Sequence, residues 1–160
     1  SGGSLGHGLP VATGIALGLE RKRSKQHVYC IVGDGELNEG SMWEAILFAG
    51  HHQLKNLTII VDLNQFQAMG KTQDIIRLDP LDKKFESFGF VTEFCDGHNK
   101  ENISSALMRL SSNNKPSVLI ANTVKGKGVS FMEAENLWHY KKMTHDEEQT
   151  AVKELVKEDS

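Results

Sequence analysis

Short, continuously apolar runs alternate along the chain with segments whose apolar residues recur at helical spacing. The run 28–32 stops at Gly33, and the run 57–61 stops at a polar tripeptide. Runs this short and rich in β-branched residues are typical of buried strands. Further strands are predicted at 90–95 and 117–124. Because strands buried on both faces have this continuous apolar character, the pattern predicts a parallel sheet.

The segments between these runs carry the helical pattern. Met42, Ala45, Ile46 and Ala49 fall at i, i+3, i+4 and i+7, which places them on one face of an amphipathic helix. Helices are predicted at 5–23, 38–53, 80–88, 100–112 and 145–157.

The alternation of strands and helices predicts an α/β fold, a doubly wound, mostly parallel sheet with helices on both faces. Residues 65–79 are predicted to be irregular, with a turn at 69–72, and Thr144 is the predicted N-cap of the last helix. Ligands of such sheets bind beyond the carboxyl ends of the strands.

Composition narrows the class of protein. A chain of 160 residues with 39% hydrophobic and 24% charged residues is typical of one soluble globular domain. No apolar run approaches the ~18 residues that span a bilayer, so no membrane partner is predicted. The net charge of −3 and the absence of a long basic block argue against nucleic acid. Cys30 and Cys95 show no CxxC spacing, which suits a reducing, cytoplasmic location.

Polar residues follow three of the predicted strands. They are Gly33-Asp34-Gly35, Asp62-Leu63-Asn64 and Lys125-Gly126-Lys127-Gly128. Asp34 and Asn64 are about one strand–helix–strand unit apart, so both side chains are expected at the same edge of the sheet. A carboxylate plus an amide is a weak cage for a divalent cation, but it becomes adequate when a ligand phosphate supplies more oxygens. Gly35 precedes a helix N-terminus that favours an anion. The residues therefore predict a diphosphate bound with a metal.

Other phosphate and metal motifs are absent from the sequence. The Gly33-x-Gly35 pair lacks the third glycine of a dinucleotide fingerprint, and no Walker A pattern exists. An EF-hand interpretation that begins at Asp34 has Glu39 where the loop requires glycine. No HExxH or zinc spacing occurs.

The sequence of these loops resembles a known family. The block Gly33-Asp34-Gly35-Glu36-Leu37-Asn38-Glu39-Gly40, with Asn64 downstream, resembles the thiamine-diphosphate signature. Four segments in order are similar to the diphosphate-binding N-terminal domain of the transketolase family: 3–9, the GDG block with 43–45, 62–66, and 125–128 followed by Trp138-His139.

The resemblance implies thiamine diphosphate and Mg²⁺ (or Ca²⁺) as cofactors. It implies that Asp34, Asn64 and the main-chain carbonyl of Phe66 are the metal ligands, and that Gly33 and Gly35 contact the diphosphate.

The resemblance also implies roles for residues around the rest of the cofactor and the substrate. Gly3, Ser4 and Leu5 resemble the loop against the aminopyrimidine and thiazolium rings. Glu39 resembles a dimer-interface glutamate that couples paired sites, and Lys125 and His139 resemble residues that reach the cofactor or the substrate.

The activity implied is transfer of a two-carbon ketol unit from a ketose or ketose phosphate to an aldose. The family's pyrimidine-binding domain and about the first hundred residues of its diphosphate-binding domain have no counterpart in this sequence. Residues 1–160 are therefore expected to be an N-terminally incomplete diphosphate-binding domain of a split enzyme. A pyrimidine-binding subunit is the expected partner, with two copies of this chain in a heterotetramer, and the chain alone is expected to be inactive.

Two other functions remain open from the sequence. An E1-type 2-oxo-acid decarboxylase or dehydrogenase subunit shares the GDG…N pattern, and a non-catalytic cofactor-binding scaffold would keep the same residues. Individual residues also have simpler interpretations. Asp34 could cap a helix, Glu39 and Lys125 could be solvated, and His139 could pack on Trp138.

Overall fold

Four strands pair in parallel to form the central sheet, in the order β1-β2-β6-β5. The computed structural model describes residues 3–158, with side chains through residue 156, so the ends of the predicted domain at 1–2 and 159–160 lie outside the described residues. The strands are β1 (Val28–Gly33), β2 (Leu57–Leu63), β3 (Phe66–Gln67), β4 (Gly70–Lys71), β5 (Val91–Asp96) and β6 (Ser117–Asn122).

Helices connect these strands. They are α1 (Gly8–Arg21), α2 (Gly40–His51), α3 (Thr72–Ile75), α4 (Leu81–Ser87), α5 (Lys100–Ser111) and α6 (His145–Glu158), with 3₁₀ turns at Gly35–Asn38 and Asn136–His139. No helix in the described part of the chain is long and apolar enough to cross a membrane.

Alternation along the strands divides the core between the two faces of the sheet. One face packs on α1, α2 and α4, and its buried strand residues are Cys30, Val32, Leu57, Ile59, Val61, Val118 and Ile120. The other face packs Cys95, Leu119 and Ala121 against Ala106 and Leu110 of α5. Each large apolar side chain that is fully buried stabilises the fold by about 1.5–3 kcal/mol, so both layers hold the sheet in place.

The outer face of β1 is not covered by α5. Ile31 is 73% exposed and Tyr29 is 52% exposed on this edge strand. The two side chains are two residues apart in the strand, so they lie on the same face of the sheet.

The register aligns the carboxyl ends of three neighbouring strands. Gly33 pairs with Asp62 across β1 and β2, and Leu63 pairs with Asn122 across β2 and β6. The predicted parallel arrangement of these strands is confirmed. The loops after β1, β2 and β6 therefore leave the sheet at one edge.

Most predicted elements are confirmed within a few residues, and one segment differs. Residues 65–79, predicted to be irregular, contain the β3–β4 hairpin and the short helix α3. Strands of two residues are too short to produce an alternating pattern. The predicted N-cap is confirmed, since the Glu147 N–H donates to Thr144 Oγ1 at 3.3 Å and the Thr144 N–H donates to Glu147 Oε2 at 2.8 Å. This reciprocal pair is a capping box.

Candidate cofactor site

Asp34 joins the ends of β1 and β2. Its side chain is fully buried, at 0% exposure. The Gly35 N–H donates to Oδ1 at 2.8 Å, and the Gln65 N–H donates to Oδ2 at 2.7 Å. The Thr72 hydroxyl lies 3.5 Å from the same oxygen. Because Gln65 directly follows Asn64, these bonds bring the loop that bears Asn64 against the Asp34 carboxylate.

The environment of Asp34 disfavours its charged form. Burial raises the pKa of this carboxyl to about 6, and the nearby Asp62 carboxylate also raises it. The N–H donors of Gln65 and Gly35 and the Thr72 hydroxyl lower the same pKa without cancelling the effect of burial. A buried carboxylate of this kind is stabilised by a cation placed beside it.

The raised pKa of Asp34 predicts how stability changes with pH in the absence of metal. The ordinary pKa is 3.8 and the folded value is about 6, so the folded state holds this proton to a higher pH than the unfolded state does. The stabilisation is complete below the ordinary pKa and is lost as the pH rises through about 6. We expect the total loss to be about 3 kcal/mol, from 1.36 kcal/mol for each unit of difference between the two pKa values.

Denaturant unfolding in EDTA between pH 4 and pH 7 measures this effect. The Asp34→Asn variant should have a flatter profile than the unsubstituted protein over this range, since it has no proton to lose. Parallel profiles for the two proteins would contradict the assignment of a raised pKa to Asp34.

Asn64 is held at both atoms of its amide. Its Nδ2 donates to Asp62 Oδ2 at 3.3 Å, and its Oδ1 accepts the Phe66 N–H at 2.9 Å. The Thr123 hydroxyl donates to the other oxygen of Asp62. The amide oxygen thus faces the turn that carries the Phe66 carbonyl, and it retains a lone pair for a cation.

Asp34, Asn64 and the Phe66 carbonyl offer oxygen ligands of the kind that a divalent cation prefers, but too few to complete its coordination. A carboxylate, an amide oxygen and a main-chain carbonyl are ligands that Mg²⁺ and Ca²⁺ accept. Within residues 3–156, no group of three or more His, Cys, Asp or Glu side chains could hold a metal by itself. The residues present therefore suit a cation whose remaining ligands come from a bound diphosphate.

The β3–β4 hairpin packs on residues 33–38 at the end of β1, which we call the diphosphate loop, and this packing requires glycine at position 35. A Cβ atom at this position would lie 2.6 Å from Gln67 Cβ, whereas a Cβ at Gly33 would meet nothing within 4 Å. The absence of a side chain at Gly35 is what lets the β3–β4 hairpin lie against the turn that follows Asp34.

We expect Gly35→Ala to lower the free energy of unfolding by about 1–3 kcal/mol, because the added methyl group overlaps the hairpin. Denaturant unfolding checks the value. Gly18→Ala is the control, since its Cβ would meet nothing within 4 Å and alanine favours a helix interior by about 0.5–1 kcal/mol. Equal stability of the two variants would show that the hairpin moves away without resistance.

The loop of Gly3, Ser4 and Leu5 approaches the same edge of the sheet. The Gly6 N–H donates to Glu36 Oε1 at 3.0 Å, and the Gly6 carbonyl accepts from Ser41 Oγ at 2.7 Å. These bonds fasten the chain just after the loop to the turn that follows Asp34. Leu5 is 57% exposed. Glu39 lies exposed at the start of α2.

Lys125 and His139 lie on the loop that follows β6. The Lys125 carbonyl accepts the Ala134 N–H at 2.9 Å, which closes the intervening loop. Lys125 is half-buried and His139 is exposed. In the described part of the chain, neither side chain forms a hydrogen bond or ion pair with Asp34 or Asn64. Their predicted roles in binding remain predictions.

Three residues that support the site were not among the predicted ones. Asp62 orients Asn64, Thr72 contacts Asp34, and Glu36 holds Gly6. Asp62 stands in one of the polar strand ends named from the sequence, and its position two residues before Asn64 is a signal for its role, because side chains two residues apart in extended chain lie on the same side. Thr72 and Glu36 have no comparable signal in the sequence.

The molecule is an α/β protein with a parallel sheet, in which a buried carboxylate at one strand end is bonded to the asparagine-bearing loop of the next strand. The sequence model of one family, described as "Transketolase, thiamine diphosphate binding domain", matches residues 1–158. The chain belongs to this family.

Comparison with individual proteins gives the same assignment. The chain is 47% identical over 156 residues to an apulose-4-phosphate transketolase subunit of Actinobacillus succinogenes, covering 98% of this chain and 56% of that protein. It is 42% identical over 157 residues to a 6-deoxy-6-sulfo-D-fructose transketolase subunit of a Clostridium species, covering 98% of this chain and 57% of that protein. The chain spans about half the length of these curated relatives.

The fold is also that of solved transketolases. The crystal structure of transketolase from Campylobacter jejuni superposes with a TM-score of 0.89 at 28% identity, covering 94% of this chain and 25% of that chain.

Proposed function

We propose that this chain is the diphosphate-binding part of a split transketolase, which moves a two-carbon ketol unit from a ketose or ketose phosphate to an aldose. The observation that carries the proposal is the 2.7 Å bond from the Gln65 N–H to Asp34 Oδ2. This bond joins the two loops that the thiamine-diphosphate signature requires at one place.

In this proposal, Asp34, Asn64 and the Phe66 carbonyl hold Mg²⁺ (or Ca²⁺), and the main chain of Gly33 and Gly35 contacts the diphosphate. Bound thiamine diphosphate supplies an electron sink for cleavage of a carbon–carbon bond. The burial of Asp34 supports its role as a ligand, because a cation offsets the cost of its charge.

The remaining predicted residues have roles around the rings and the substrate. Gly3, Ser4 and Leu5 would form the wall beside the aminopyrimidine and thiazolium rings. Lys125 and His139 would face the substrate from the loop after β6.

We propose an anionic ketose as the substrate class. The relatives named above act on apulose-4-phosphate and 6-deoxy-6-sulfo-D-fructose, as their names state. Both names describe a sugar with a phosphate or sulfonate group. The cationic Lys125 side chain suits a substrate of this charge.

The proposed partner is a pyrimidine-binding subunit, with two copies of this chain in a heterotetramer. The relatives' designation as subunits supports a partner chain. An apolar groove of about 350 Å³ between α1 and α2, lined by Pro10, Leu17 and Phe48 among others, offers a surface for such an assembly. Glu39, exposed at the start of α2, would lie at the interface between the two copies.

Residues 1–160 form only part of the proposed subunit. The exposed Ile31 and Tyr29 on β1 support the proposal that further chain covers this edge of the sheet. The proposed location is the cytoplasm, which the two free cysteines support. The transketolase relatives disfavour an E1-type 2-oxo-acid subunit.

The experiment is an assay of ketol transfer by the full-length subunit with its partner, using a ketose phosphate donor, an aldose acceptor, Mg²⁺ and thiamine diphosphate. We expect multiple turnovers. A complex that binds the cofactor but transfers no ketol unit would favour a scaffold module, and decarboxylation of a 2-oxo acid by the same complex would favour the E1 class.

A further inference from the structure

The β3–β4 hairpin is too small to be stable alone. Each strand has two residues, with Phe66 opposite Lys71 and Gln67 opposite Gly70. An isolated two-stranded hairpin is marginal in water even when it is longer. Because Phe66 carries one of the proposed metal ligands, whatever holds this hairpin also sets the position of that carbonyl.

One side of the hairpin rests on the diphosphate loop. The Asn38 side-chain amide donates to Gln67 Oε1 at 3.2 Å, and Gly35 allows the close approach of Gln67 described above. This contact joins the hairpin to the end of β1.

The other side of the hairpin is held by the segment that carries His139. The Asn136 amide fits the hairpin main chain in the orientation in which its nitrogen donates to the Gln67 carbonyl at 2.9 Å and its oxygen accepts the Gly70 N–H at 3.3 Å. The Tyr140 hydroxyl donates to the Ala68 carbonyl at 3.2 Å. Gln67 and Gly70 are opposite each other in the hairpin. The Asn136 amide thus forms hydrogen bonds with a main-chain carbonyl and a main-chain N–H of this pair, as a neighbouring strand would.

The other contacts of this segment do not reach the hairpin. Trp138 Nε1 donates to the Phe131 carbonyl at 2.9 Å, and the Lys141 ammonium lies 4.2 Å from the centre of the Trp138 ring. Lys141 also pairs with Glu147 at 2.6 Å. Among the described residues, the hydrogen bonds between 135–141 and the hairpin come from Asn136 and Tyr140.

We propose that Asn136 and Tyr140 are positioning residues, which dock the segment bearing His139 on the hairpin that bears the Phe66 carbonyl. His139 lies between the two docking residues in sequence, so its backbone is fixed at both sides. Residues 64–71, which include the proposed ligands Asn64 and Phe66, and residues 135–141 then become ordered together. The roles of Phe66 and His139 rest on the proposed function, whereas the docking itself does not.

The first test is hydrogen exchange of the full-length subunit with its partner, without metal or cofactor. The double variant Asn136→Ala/Tyr140→Phe removes both contacts. Its control is Asn114→Ala, at an exposed amide away from the site. We expect amides of 135–141 to exchange roughly 100-fold faster in the docking variant, because it loses three hydrogen bonds to the hairpin of about 1 kcal/mol each, at about 1.4 kcal/mol per factor of ten. Unchanged exchange at 135–141 would overturn the proposal.

The second test adds Mg²⁺ and thiamine diphosphate. In the unsubstituted complex we expect slower exchange at both 64–71 and 135–141. In the docking variant the slowing should persist at 64–71 and disappear at 135–141, which a general loss of stability would not produce. Slowing at both segments in the docking variant would contradict the coupling. If the unsubstituted complex shows no slowing anywhere, the proposed function fails, and the first test still decides whether the segment is docked.

A double-mutant cycle tests whether the effect acts through His139. We expect the docking variant to lower kcat in the unsubstituted background and to lower it no further in a His139→Ala background. Independent, additive losses would show that Asn136 and Tyr140 do not act by positioning His139.

Discussion

Replacing Asp34 with alanine should abolish Mg²⁺-dependent binding of thiamine diphosphate by the full-length complex. The variant removes the carboxylate from the donor set, and Asn64 with the Phe66 carbonyl is too small a set to hold a cation. We expect the affinity to fall by more than about 100-fold, since even residues that only support a metal ligand contribute 10–100-fold. Titration calorimetry of the cofactor, with and without Mg²⁺, measures the loss.

The fold should survive this substitution. Alanine leaves the N–H groups of Gln65 and Gly35 without their acceptor, which costs about 1–3 kcal/mol for each buried donor, but it also removes a charge that is expensive to bury. Asp34→Asn keeps an acceptor and serves as the conservative variant. Asp74→Ala, at an exposed aspartate of α3, is the control for loss of charge. Unchanged cofactor affinity in a folded Asp34→Ala complex would refute the metal assignment.

The strands of the sheet could be predicted because buried strands have unbroken runs of apolar residues in the sequence. β6 is buried along Ser117–Ala121, with Asn122 exposed at its end, and a strand covered on both faces reads as an unbroken apolar run. The β3–β4 hairpin could not be predicted in this way. Its structure depends on hydrogen bonds that the side-chain amides of Asn38 and Asn136, from distant parts of the chain, donate to Gln67.

The position of Asp34 and Asn64 at the same edge of the sheet was predictable for a related reason. Asp34 and Asn64 each follow a predicted strand, and parallel strands bring their carboxyl ends to one edge. The supporting contacts were not predictable, because they depend on register and loop closure. The pairing of Thr72 with Asp34 requires the hairpin to fold back between them, and the pairing of Tyr140 with Ala68 joins residues 72 positions apart.

The proposed role of Asp34 gives a reason for the presence of a buried carboxylate that lowers the stability of the folded protein. Asp34 is buried at 0% exposure and carries a raised pKa, so in the absence of a cation its charge weakens the folded state at neutral pH. A stabilising substitution there would remove the carboxylate that we propose as a metal ligand. Binding of metal and cofactor should therefore stabilise the protein by more than it would at an exposed carboxylate.

The chain by itself should be catalytically inactive. The side chains at the candidate site lie on one edge of one sheet, and Leu5 and His139 are exposed there. A cleft with an open wall admits water, which weakens each electrostatic contact inside it. The family resemblance implies that a glutamate of the pyrimidine-binding partner activates the cofactor. Glu36 cannot replace it, because the Gly6 N–H holds its carboxylate at 3.0 Å beside the diphosphate loop.

We expect no turnover when either the 160-residue chain or the full-length subunit is mixed with thiamine diphosphate, Mg²⁺, a ketose phosphate and an aldose. Adding the partner subunit to the full-length subunit should restore ketol transfer and tighten cofactor binding. Circular dichroism of each protein before the assay separates an inactive folded chain from an unfolded one. Multiple turnovers by a folded subunit without its partner would show that this chain supplies the whole active site, and the split arrangement would then be wrong.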